Sequence, residues 1–490
     1  MAAAKEYDLV IKNIGVVRPN ASIVDEVDIA IKNGKFARIA PGIAKSKAKK
    51  SFDGRGRLAF PGLVDPHMHT GIYAPLDQDA VTESRAAAQG GVTSSLNYIR
   101  TGGYYLNKGG PYKDFFPEVL KLSKNNFHVD YVYHLAPMSG QHIREIPMLV
   151  EKHGVTSFKI FMFYGGHGLH GASDNQSEFL MIGSDEKYDY AHFEFVMRGI
   201  KKAIERNPDK ASEISLSLHC ETAEIMAAYT KMVEKQGKLK GLHAYSAARP
   251  PHSEGLAIFI ASYLANETDL PNINLLHLTS RKAVVAALQM ADVFPHINFR
   301  REVTIGHLML DVDAKTRCLA KVNPPIRPRE DVEFLWEALI AGEIDWVCSD
   351  HACCKYEQKV DKRKPGDIWL AKSGFGGTEY MLAALATEGR KRGLSWNDMA
   401  RLTSYNAAER FGLRSKGDIA EGLDADLAIL DPNETWTVDS GKSESSQGHT
   451  PFEGMELTAK VKTTFLRGER VYDEGRIIGK PTGKYLKRPY

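Results

Sequence analysis

Two histidines stand one residue apart at the end of an apolar run, Ala59-Phe-Pro-Gly-Leu-Val-Asp-Pro-His-Met-His-Thr70. Because side chains alternate between the two faces of a strand, His67 and His69 would point the same way from the strand predicted around Leu63 and Val64. Two imidazoles arranged in this way can bind one metal ion. A bare His-x-His pair is also typical of ordinary histidines in a surface or core turn, so the pair by itself leaves the chemistry open.

Four more residues that could take part in chemistry follow apolar, strand-like runs further along the chain. These are Lys159 in Ser-Phe-Lys-Ile-Phe-Met, His219 in Leu-His-Cys-Glu, His277 in Leu-Leu-His-Leu-Thr-Ser and Asp350 in Val-Cys-Ser-Asp-His. Imidazole and carboxylate groups are nitrogen and oxygen ligands that divalent metals bind in proteins. Together these residues favour a metal site as the interpretation of the His-x-His pair.

Short apolar strands alternate with longer helical patterns between about residues 61 and 415, and these elements must position the candidate ligands. Eight strands are predicted, at residues 63–64, 93–99, 129–135, 157–162, 214–219, 273–277, 297–303 and 345–348. Eight strand-helix units in succession indicate an α/β fold of the (β/α)8 TIM-barrel type. The candidate ligands all lie at the C-terminal ends of these strands, the face where barrel enzymes carry their active sites. Polar residues that merely end strands would explain one or two such positions, but not five on one rim.

Both ends of the chain carry short alternating apolar runs, separated by Gly and Asn, that are typical of β-hairpins. The N-terminal runs lie within residues 7–60, and matching runs return at residues 424–431, 461–472 and 475–478. We therefore predict a small β-sandwich domain built from residues 1–60 and 416–490 together. Residues 61–415 would form the larger, metal-dependent barrel domain, since 490 residues exceed the usual size of one domain.

The composition predicts a small-molecule enzyme in the cytoplasm. A formal charge of +3 is small for this length and no basic stripe appears, so nucleic acid is not an expected partner. The five cysteines are too few and too irregular for a disulfide framework or a zinc ribbon, which fits a reducing compartment. No apolar segment has the character of a signal peptide or the length of a membrane span, so we expect no membrane partner.

As a set, the motifs resemble those of the amidohydrolase superfamily and, within it, the dihydropyrimidinase and hydantoinase group. The resemblance covers essentially the whole chain and implies a hydrolase that opens a cyclic amide, ureide or imide C–N bond. The segments that carry it are Phe60-Pro-Gly-x-x-Asp-Pro-His-x-His, the stretch containing Lys159 and Tyr164, His219-Cys-Glu, His277-x-x-Ser, Asn323-Pro-Pro-Ile-Arg, Ser349-Asp-His and Gly417-Asp-Ile-Ala-Glu-Gly-Leu-Asp-Ala-Asp-Leu-Ala.

The resemblance implies a site with two divalent metal ions, zinc first and manganese or another divalent ion next. Lys159 would bridge the ions as a carbamate formed with carbon dioxide, because an ammonium group has no lone pair to offer a metal. The alternative is an ordinary buried or snorkelling lysine. Its apolar setting, Phe158-Lys-Ile-Phe-Met-Phe, speaks against that alternative, since an unpaired buried ammonium is costly. The implied ligands are His67, His69 and Asp350 for one ion and His219 and His277 for the other.

The resemblance also implies the catalytic roles. A hydroxide shared by the two ions would be the nucleophile, since metal ions about 3.5–4 Å apart lower the pKa of bound water. Asp350 would take its proton and pass it to the leaving nitrogen, and Tyr164 would donate a hydrogen bond to the oxyanion. The alternatives are a pure ligand role for Asp350 and a rim position for Tyr164. Asn323 and Ser373 would bind the substrate through main-chain groups.

Some positions depart from the pattern of this group and leave the substrate open. Hydantoinases more often carry Ser at position 323 and Asn at position 373, and the segment from Arg301, Arg-Glu-Val-Thr-Ile-Gly-His-Leu, is nearer to allantoinases and dihydroorotases. Gly71 stands where dihydroorotase needs an arginine. The alternatives are therefore a hydrolase of a linear amide, carbamate or urea derivative, an allantoinase, and, more remotely, a non-catalytic scaffold relative.

Three further features are less informative. The resemblance implies a homotetramer, with the basic tail of residues 480–490 packed on a neighbouring copy or disordered. His167 and His170 lie in a glycine-rich loop after the fourth strand, where they would contact substrate or merely cap the loop. The neighbouring Cys353 and Cys354 are sterically poor for an ordinary disulfide and receive no function.

Overall fold

The computed structural model describes residues 5–169 and 176–490 of the chain. His170 therefore lies outside the described residues. The first strands are β1 (Tyr7–Val16), β2 (Asp25–Glu26), β3 (Asp28–Lys32), β4 (Lys35–Ala40) and β5 (Ala48–Pro61). The next are β6 (Leu63–His69), β7 (Val92–Ile99), β8 (Asp130–Leu135), β9 (Ser157–Phe161), β10 (Ser215–His219), β11 (Asn272–Leu275), β12 (Asn298–Thr304), β13 (Trp346–Cys348) and β14 (His351–Ala352). The last are β15 (Leu427–Asp431), β16 (Trp436–Thr437), β17 (Glu456–Leu457), β18 (Lys460–Leu466), β19 (Glu469–Asp473) and β20 (Arg476–Ile477).

Helices connect the strands from β6 onward. They are α1 (Leu76–Gln89), α2 (Tyr112–Ser123), α3 (Gly140–His153), α4 (Gln176–Leu180), α5 (Tyr190–Arg206), α6 (Ala223–Gln236), α7 (Gly241–Ala248), α8 (Pro251–Glu267), α9 (Arg281–Val293), α10 (Ile305–Met309), α11 (Arg329–Ile340), α12 (Tyr356–Lys359), α13 (Met381–Lys391), α14 (Trp396–Ala400) and α15 (Asn406–Arg410). Among the helices in the described ranges, none combines the length and the apolar character needed to cross a membrane.

The strands from β6 to β14 form one parallel sheet that closes on itself. Its order is β13-β12-β11-β10-β9-β8-β7-β6-β14. Only Ser349 and Asp350 separate β13 from β14, so the two are parts of one run that pairs with β12 on one side and with β6 on the other. This run is the eighth strand, and its double pairing confirms the predicted (β/α)8 barrel.

A buried carboxylate fixes this closure. Asp65 in β6 accepts hydrogen bonds from the Ser349 backbone N–H at 3.2 Å, the Ser349 hydroxyl at 2.5 Å and the Thr378 hydroxyl at 2.8 Å. Asp65 is fully buried, and a buried carboxylate needs such donors to offset its desolvation. The carboxylate therefore ties the first strand to the point where the eighth strand divides.

The first barrel strand extends beyond its prediction, from Leu63 to His69 rather than over residues 63–64. Its pairing with β7 is irregular between Asp65 and Met68. Pro66 has no N–H to donate to a ladder, which accounts for the interruption. The strand resumes and carries both histidines to its end.

The two ends of the chain share one sheet. Its order is β20-β19-β18-β15-β5-β1-β3-β4, with β2 paired to β1. The C-terminal β15 lies antiparallel beside β5, with Ile429 opposite Ala59, and β5 leads through Gly62 directly into the first barrel strand. The prediction that both ends build one β unit is confirmed. Its proposed division at residues 60 and 416 stays a prediction.

The basic tail packs on its own chain. The backbone N–H of Leu486 donates to the carbonyl of Tyr131 in β8 at 3.0 Å. The guanidinium of Arg488, which is 2% exposed, donates to the Ser157 hydroxyl at 2.7 Å and to the Tyr133 carbonyl at 2.8 Å. The tail therefore lies against β8 and β9, which its lack of periodicity could not indicate.

Lys416 forms a buried charge cluster where the small sheet meets the barrel. Its ammonium lies 2.7 Å from a carboxylate oxygen of Asp130 in β8, 3.1 Å from Asp424 and 2.7 Å from Asp426, which directly precedes β15. The Lys416 side chain is 1% exposed. Lys416 thus pairs with carboxylates from both parts of the fold, and Arg467 and Lys35 add a second cation to Asp130 and to Asp424.

We expect Lys416→Met to lower the free energy of unfolding by about 3–5 kcal/mol, because removing one partner leaves buried charge uncompensated. Urea unfolding followed by circular dichroism measures this loss. Lys442→Met is the matched control, since the Lys442 side chain is 80% exposed. A loss below about 1 kcal/mol, the usual worth of an exposed ion pair, would contradict the expectation.

Candidate metal centre and active site

The structure brings the six predicted metal ligands together at one end of the barrel. His67 and His69 end β6, Lys159 lies in β9 and His219 ends β10, while His277 follows β11 and Asp350 lies between β13 and β14. Parallel strands in a closed barrel end on the same rim, so ligands that are far apart in sequence meet there.

The shortest distances join four of these side chains. Nε2 of His67 lies 3.2 Å from Nε2 of His69, 3.2 Å from Oδ1 of Asp350 and 3.0 Å from Nζ of Lys159. Nε2 of His69 is 3.3 Å from the same Asp350 oxygen. Imidazole, carboxylate and amine groups thus converge on one point.

The other two ligands stand beside this group. The ring centroids of His219 and His277 are 4.3 Å apart, and those of His67 and His277 are 5.4 Å apart. His67, His277 and Asp350 each offer a ligand atom within 4.8 Å of the others. All six side chains therefore occupy one compact cluster.

The hydrogen bonds of the rings show that lone pairs face the cluster. Nδ1 of His67 lies 2.7 Å from Oε1 of Glu302, and because this N–H donates to the carboxylate, Nε2 presents its lone pair to Asp350. His219 makes the same kind of contact through Nε2, 2.7 Å from Glu221. Within the described residues the buried Nδ1 of His277 has no hydrogen-bond partner. Converging lone pairs and an orphaned nitrogen fit a divalent metal pair.

Burial keeps these groups in the form that binds metal. It lowers the pKa of His67, His69, His219 and His277, that of His219 to about 4, so the imidazoles stay neutral. Burial also lowers the pKa of Lys159 from 10.5 to about 8, although the charges of Asp350 and Glu302 oppose the shift. The neutral amine, whose lone pair can add to carbon dioxide, is therefore more accessible than in an exposed lysine.

Two of the ligand positions are strained. His277 and Asp350 have φ angles of 34° and 51°, in the left-handed region that side chains other than glycine rarely adopt. Such residues cost about 1–3 kcal/mol each and cluster at functional sites. Glu302 holds one of them, since its Oε1 accepts the His277 backbone N–H at 3.1 Å.

The supporting carboxylates were not predicted as site residues. Glu302 contacts His67, the His277 backbone and, at 2.9 Å, Nε1 of Trp346. The one feature of the sequence that could have indicated Glu302 is that it is a lone acidic residue inside the predicted seventh strand. Glu221 follows His219 by two residues, the spacing that keeps both side chains on one face of an extended chain.

A cavity opens beside the cluster. Its empty volume is about 510 Å³, which includes the solvent space at its mouth. His67 is fully buried below it and is absent from its lining. The residues predicted to act on substrate line the same cavity as the ligands. The lining includes His69, Lys159, Tyr164, His219, His277, Asn323, Asp350 and Ser373.

Tyr164 lies in the 3-10 turn that follows β9 and is 2% exposed. Burial raises the pKa of its hydroxyl, which stays a proton donor, while the Arg100 guanidinium, 5.0 Å from the ring centroid, pulls the pKa back. His167 is buried but not part of the lining, and its Nδ1 pairs with the Gly168 carbonyl at 2.9 Å. Cys353 and Cys354 are buried free thiols.

Comparison with known proteins agrees with this geometry. The sequence pattern of the amidohydrolase family matches residues 181–471. The chain belongs to this family. It is 28% identical over 487 residues to an allantoinase of Rubrobacter xylanophilus and 30% identical over 488 residues to an allantoinase of Escherichia coli, with 98% of this chain and 98% of each relative covered.

Solved structures give the same assignment. This amidohydrolase is similar to the dihydropyrimidinase of Brevibacillus agri, with a TM-score of 0.83, 25% identity and 98% of both chains covered. It is also similar to the L-hydantoinase of Arthrobacter aurescens, with a TM-score of 0.84, 25% identity and coverage of 98% of this chain and all of that one (100%). The predicted family resemblance is thus confirmed, including its hydantoinase-like and allantoinase-like features. The chain is an enzyme, and the scaffold alternative loses its basis.

We expect Glu302→Gln to weaken metal binding by about 10–100-fold, because outer carboxylates that orient histidine ligands contribute on that scale. The glutamine amide has one acceptor oxygen, whereas the Glu302 carboxylate accepts hydrogen bonds from three donors. Elemental analysis after dialysis against graded chelator measures the loss without reference to activity. Glu337→Gln, at an exposed site on α11, should retain wild-type metal. Wild-type retention by Glu302→Gln would contradict the orienting role.

Proposed function

We propose that this amidohydrolase hydrolyses a C–N bond of a cyclic amide, ureide or imide at a binuclear metal site. The convergence of three kinds of ligand group on the floor of a cavity carries the proposal. Histidines, a carboxylate and a partly neutral lysine meet there, and lone pairs face one another where a cation would stabilise them. The relatives are an allantoinase, a dihydropyrimidinase and a hydantoinase, names that point to the same bond type.

The proposed ligands divide into two groups. His67, His69 and Asp350 would hold one ion and His219 and His277 the other, with the carbamate of Lys159 between them. When bound, the ions would lower the pKa of a water molecule and polarise the substrate carbonyl. Zinc is the first choice for nitrogen and oxygen ligands, with manganese as the alternative.

Asp350 would move the proton of the reaction. It lines the cavity, and its Oδ1 lies against both histidines of the pair. Its carboxylate would accept a proton from the attacking water and return it to the nitrogen of the breaking C–N bond, which needs that proton to remain in the opened product as an amide or ureide N–H. The neighbouring His351 is directed elsewhere, since its Nε2 lies 2.8 Å from Glu83.

Tyr164 would stabilise the oxyanion. Tyr164 lines the cavity and is buried among aromatic rings, where a hydrogen bond to a developing negative charge is stronger than in water. The Arg100 guanidinium, 5.0 Å from the ring centroid, opposes the rise in the pKa of the Tyr164 hydroxyl and so favours its donation to an oxyanion. Asn323 and Ser373 would bind the ring through their main-chain groups.

The remaining wall favours a ring with an apolar substituent. Apolar or aromatic side chains dominate it: Ile72, Tyr73, Tyr105, Phe161, Phe163, Leu169 and Val322. The ureido arm of allantoin would need several hydrogen-bonding partners there, because a buried polar group without them is costly. We therefore favour hydantoins, dihydropyrimidines and cyclic imides over allantoin as substrates. We favour all of these cyclic compounds over linear amides, carbamates and ureas.

A substrate panel tests this proposal. Purified protein with its metal content measured should hydrolyse a hydantoin, dihydrouracil or a cyclic imide faster than allantoin and linear ureas, as judged by kcat/KM. Highest turnover on allantoin would transfer the assignment to an allantoinase. A fully metallated protein inactive on every ring would refute the cyclic substrate.

Asp350→Asn should lower kcat by at least about 10²–10⁴, the usual contribution of general acid-base assistance. Asparagine keeps the shape and a carbonyl oxygen for the metal but cannot accept the proton. The decisive value is kcat at saturating metal, with occupancy checked by elemental analysis. Near wild-type turnover at full occupancy would leave Asp350 as a ligand only.

The carbamate on Lys159 has its own readout. Native mass spectrometry of the wild type should show the added mass of one carbon dioxide, and Lys159→Ala should lack it and lose metal. A short carboxylic acid should partly restore activity to the variant by bridging the ions. An unmodified Lys159 in a fully metallated wild type would contradict the carbamate.

We also propose a homo-oligomer, a tetramer by family resemblance, in the cytoplasm. One face of α8 exposes Leu256, Phe259 and Tyr263 at 43%, 39% and 58%, a spacing that places them in one stripe. Contiguous apolar surface of this kind marks protein contacts. Light scattering that gives only the mass of one 54.4 kDa chain would refute assembly.

Cell fractionation tests the proposed location in the cytoplasm.

A further inference from the structure

Buried charges extend outward from the proposed ligand His219. Its Nε2 lies 2.7 Å from Oε2 of Glu221, and Nε of Arg249 donates to Oε1 of Glu221 at 2.9 Å. Nη2 of Arg249 also donates to Glu221, so the two groups meet as a two-pronged pair. None of the three side chains is more than 3% exposed. The pair therefore holds the His219 ring in a fixed orientation.

Tyr245, in α7, continues this network to the cavity wall. Its hydroxyl accepts a hydrogen bond from Nη1 of Arg249 at 3.2 Å and donates one to Oδ1 of Asn323 at 2.5 Å. It also lies 3.4 Å from Oγ of Ser373. Both residues that the resemblance assigned to substrate binding thus share one buried hydroxyl.

Asn323 links this hydrogen-bond network to the loop after β9. Its Nδ2 donates to the carbonyl of Leu169 at 2.9 Å. A carbonyl can only accept, so the orientation of the amide is determined, with Oδ1 left for the Tyr245 hydroxyl.

We propose that Tyr245 is a positioning residue that fixes the substrate-facing wall relative to the metal-ligand side of the site. Leu169, Asn323 and Ser373 line the cavity, whereas Tyr245 does not. Tyr245 therefore acts through these residues and not by touching the ring. This inference rests on the proposed function, because it assumes that the cavity binds the substrate.

Tyr245→Phe tests the role, since it removes only the hydroxyl and leaves every proposed metal ligand. We expect KM for the preferred ring to rise roughly tenfold, the effect of leaving buried hydrogen-bond partners unpaired. We expect kcat to change much less, because the wall binds the ring alike in the ground state and in the transition state. Metal content should stay at the wild-type level.

A second readout does not depend on any substrate. Backbone amides of residues 163–169 and 321–326 should exchange hydrogen faster in Tyr245→Phe than in the wild type, because the Asn323 amide loses one of its two anchors. Asn323→Ala should raise KM similarly. Combining it with Tyr245→Phe should add little, since both changes break the same connection.

Tyr133→Phe is the matched control. Tyr133 is fully buried, and its hydroxyl pairs with the Ser123 hydroxyl in α2 at 2.5 Å, away from the cavity lining. It should leave KM and exchange in both segments unchanged.

Wild-type KM together with wild-type exchange in Tyr245→Phe would overturn the proposal. Loss of metal or of fold by Tyr245→Phe would also overturn it, because the residue would then be structural. If the wild type hydrolyses no ring, the proposed function fails on its own, and the exchange experiment still decides whether Tyr245 positions the wall.

Discussion

The hydrogen bonds between Asp65 and the divided eighth strand are the constraint on which the site depends. The eighth strand must leave β12 and join β6 within a few residues, and Ser349 and Asp350 occupy that gap. Asp65 binds Ser349 from the neighbouring strand and so fixes the backbone immediately before Asp350. This places the Asp350 carboxylate beside both histidines that end β6.

A second layer of carboxylates determines which atoms face the centre. Glu302 and Glu221 occupy the outer nitrogens of His67 and His219, so the inner nitrogens keep their lone pairs. Burial lowers the proton affinity of the imidazoles, so the histidines and Asp350 form a set of hydrogen-bond acceptors with few protons of their own. Such a set is unfavourable without a cation and strongly favourable with one, which is the physical basis of a metal site.

Much of this arrangement could be predicted from the sequence, because it depends on local periodicity. Strands that end in a polar residue indicate both the barrel and the rim that carries its active site. All eight predicted strands are present in the structure. Contacts between residues far apart in the sequence could not be predicted in the same way. The register of β6 beyond Pro66 and the packing of Arg488 under the barrel depend on partners more than 20 residues away, about which a local pattern carries no information.

By itself the sequence determined the fold class, the family and the residue types that can bind metal, because these follow from composition, spacing and motif. Only the tertiary structure decided which nitrogen of His67 faces the centre, since Glu302 is far from it in sequence and reaches its Nδ1 only in the folded chain. It also decided that Tyr245 joins Asn323 to Arg249, because three segments of the chain meet at one buried hydroxyl. Chemistry of this kind depends on distances of a few ångströms, and such distances exist only after the barrel has closed.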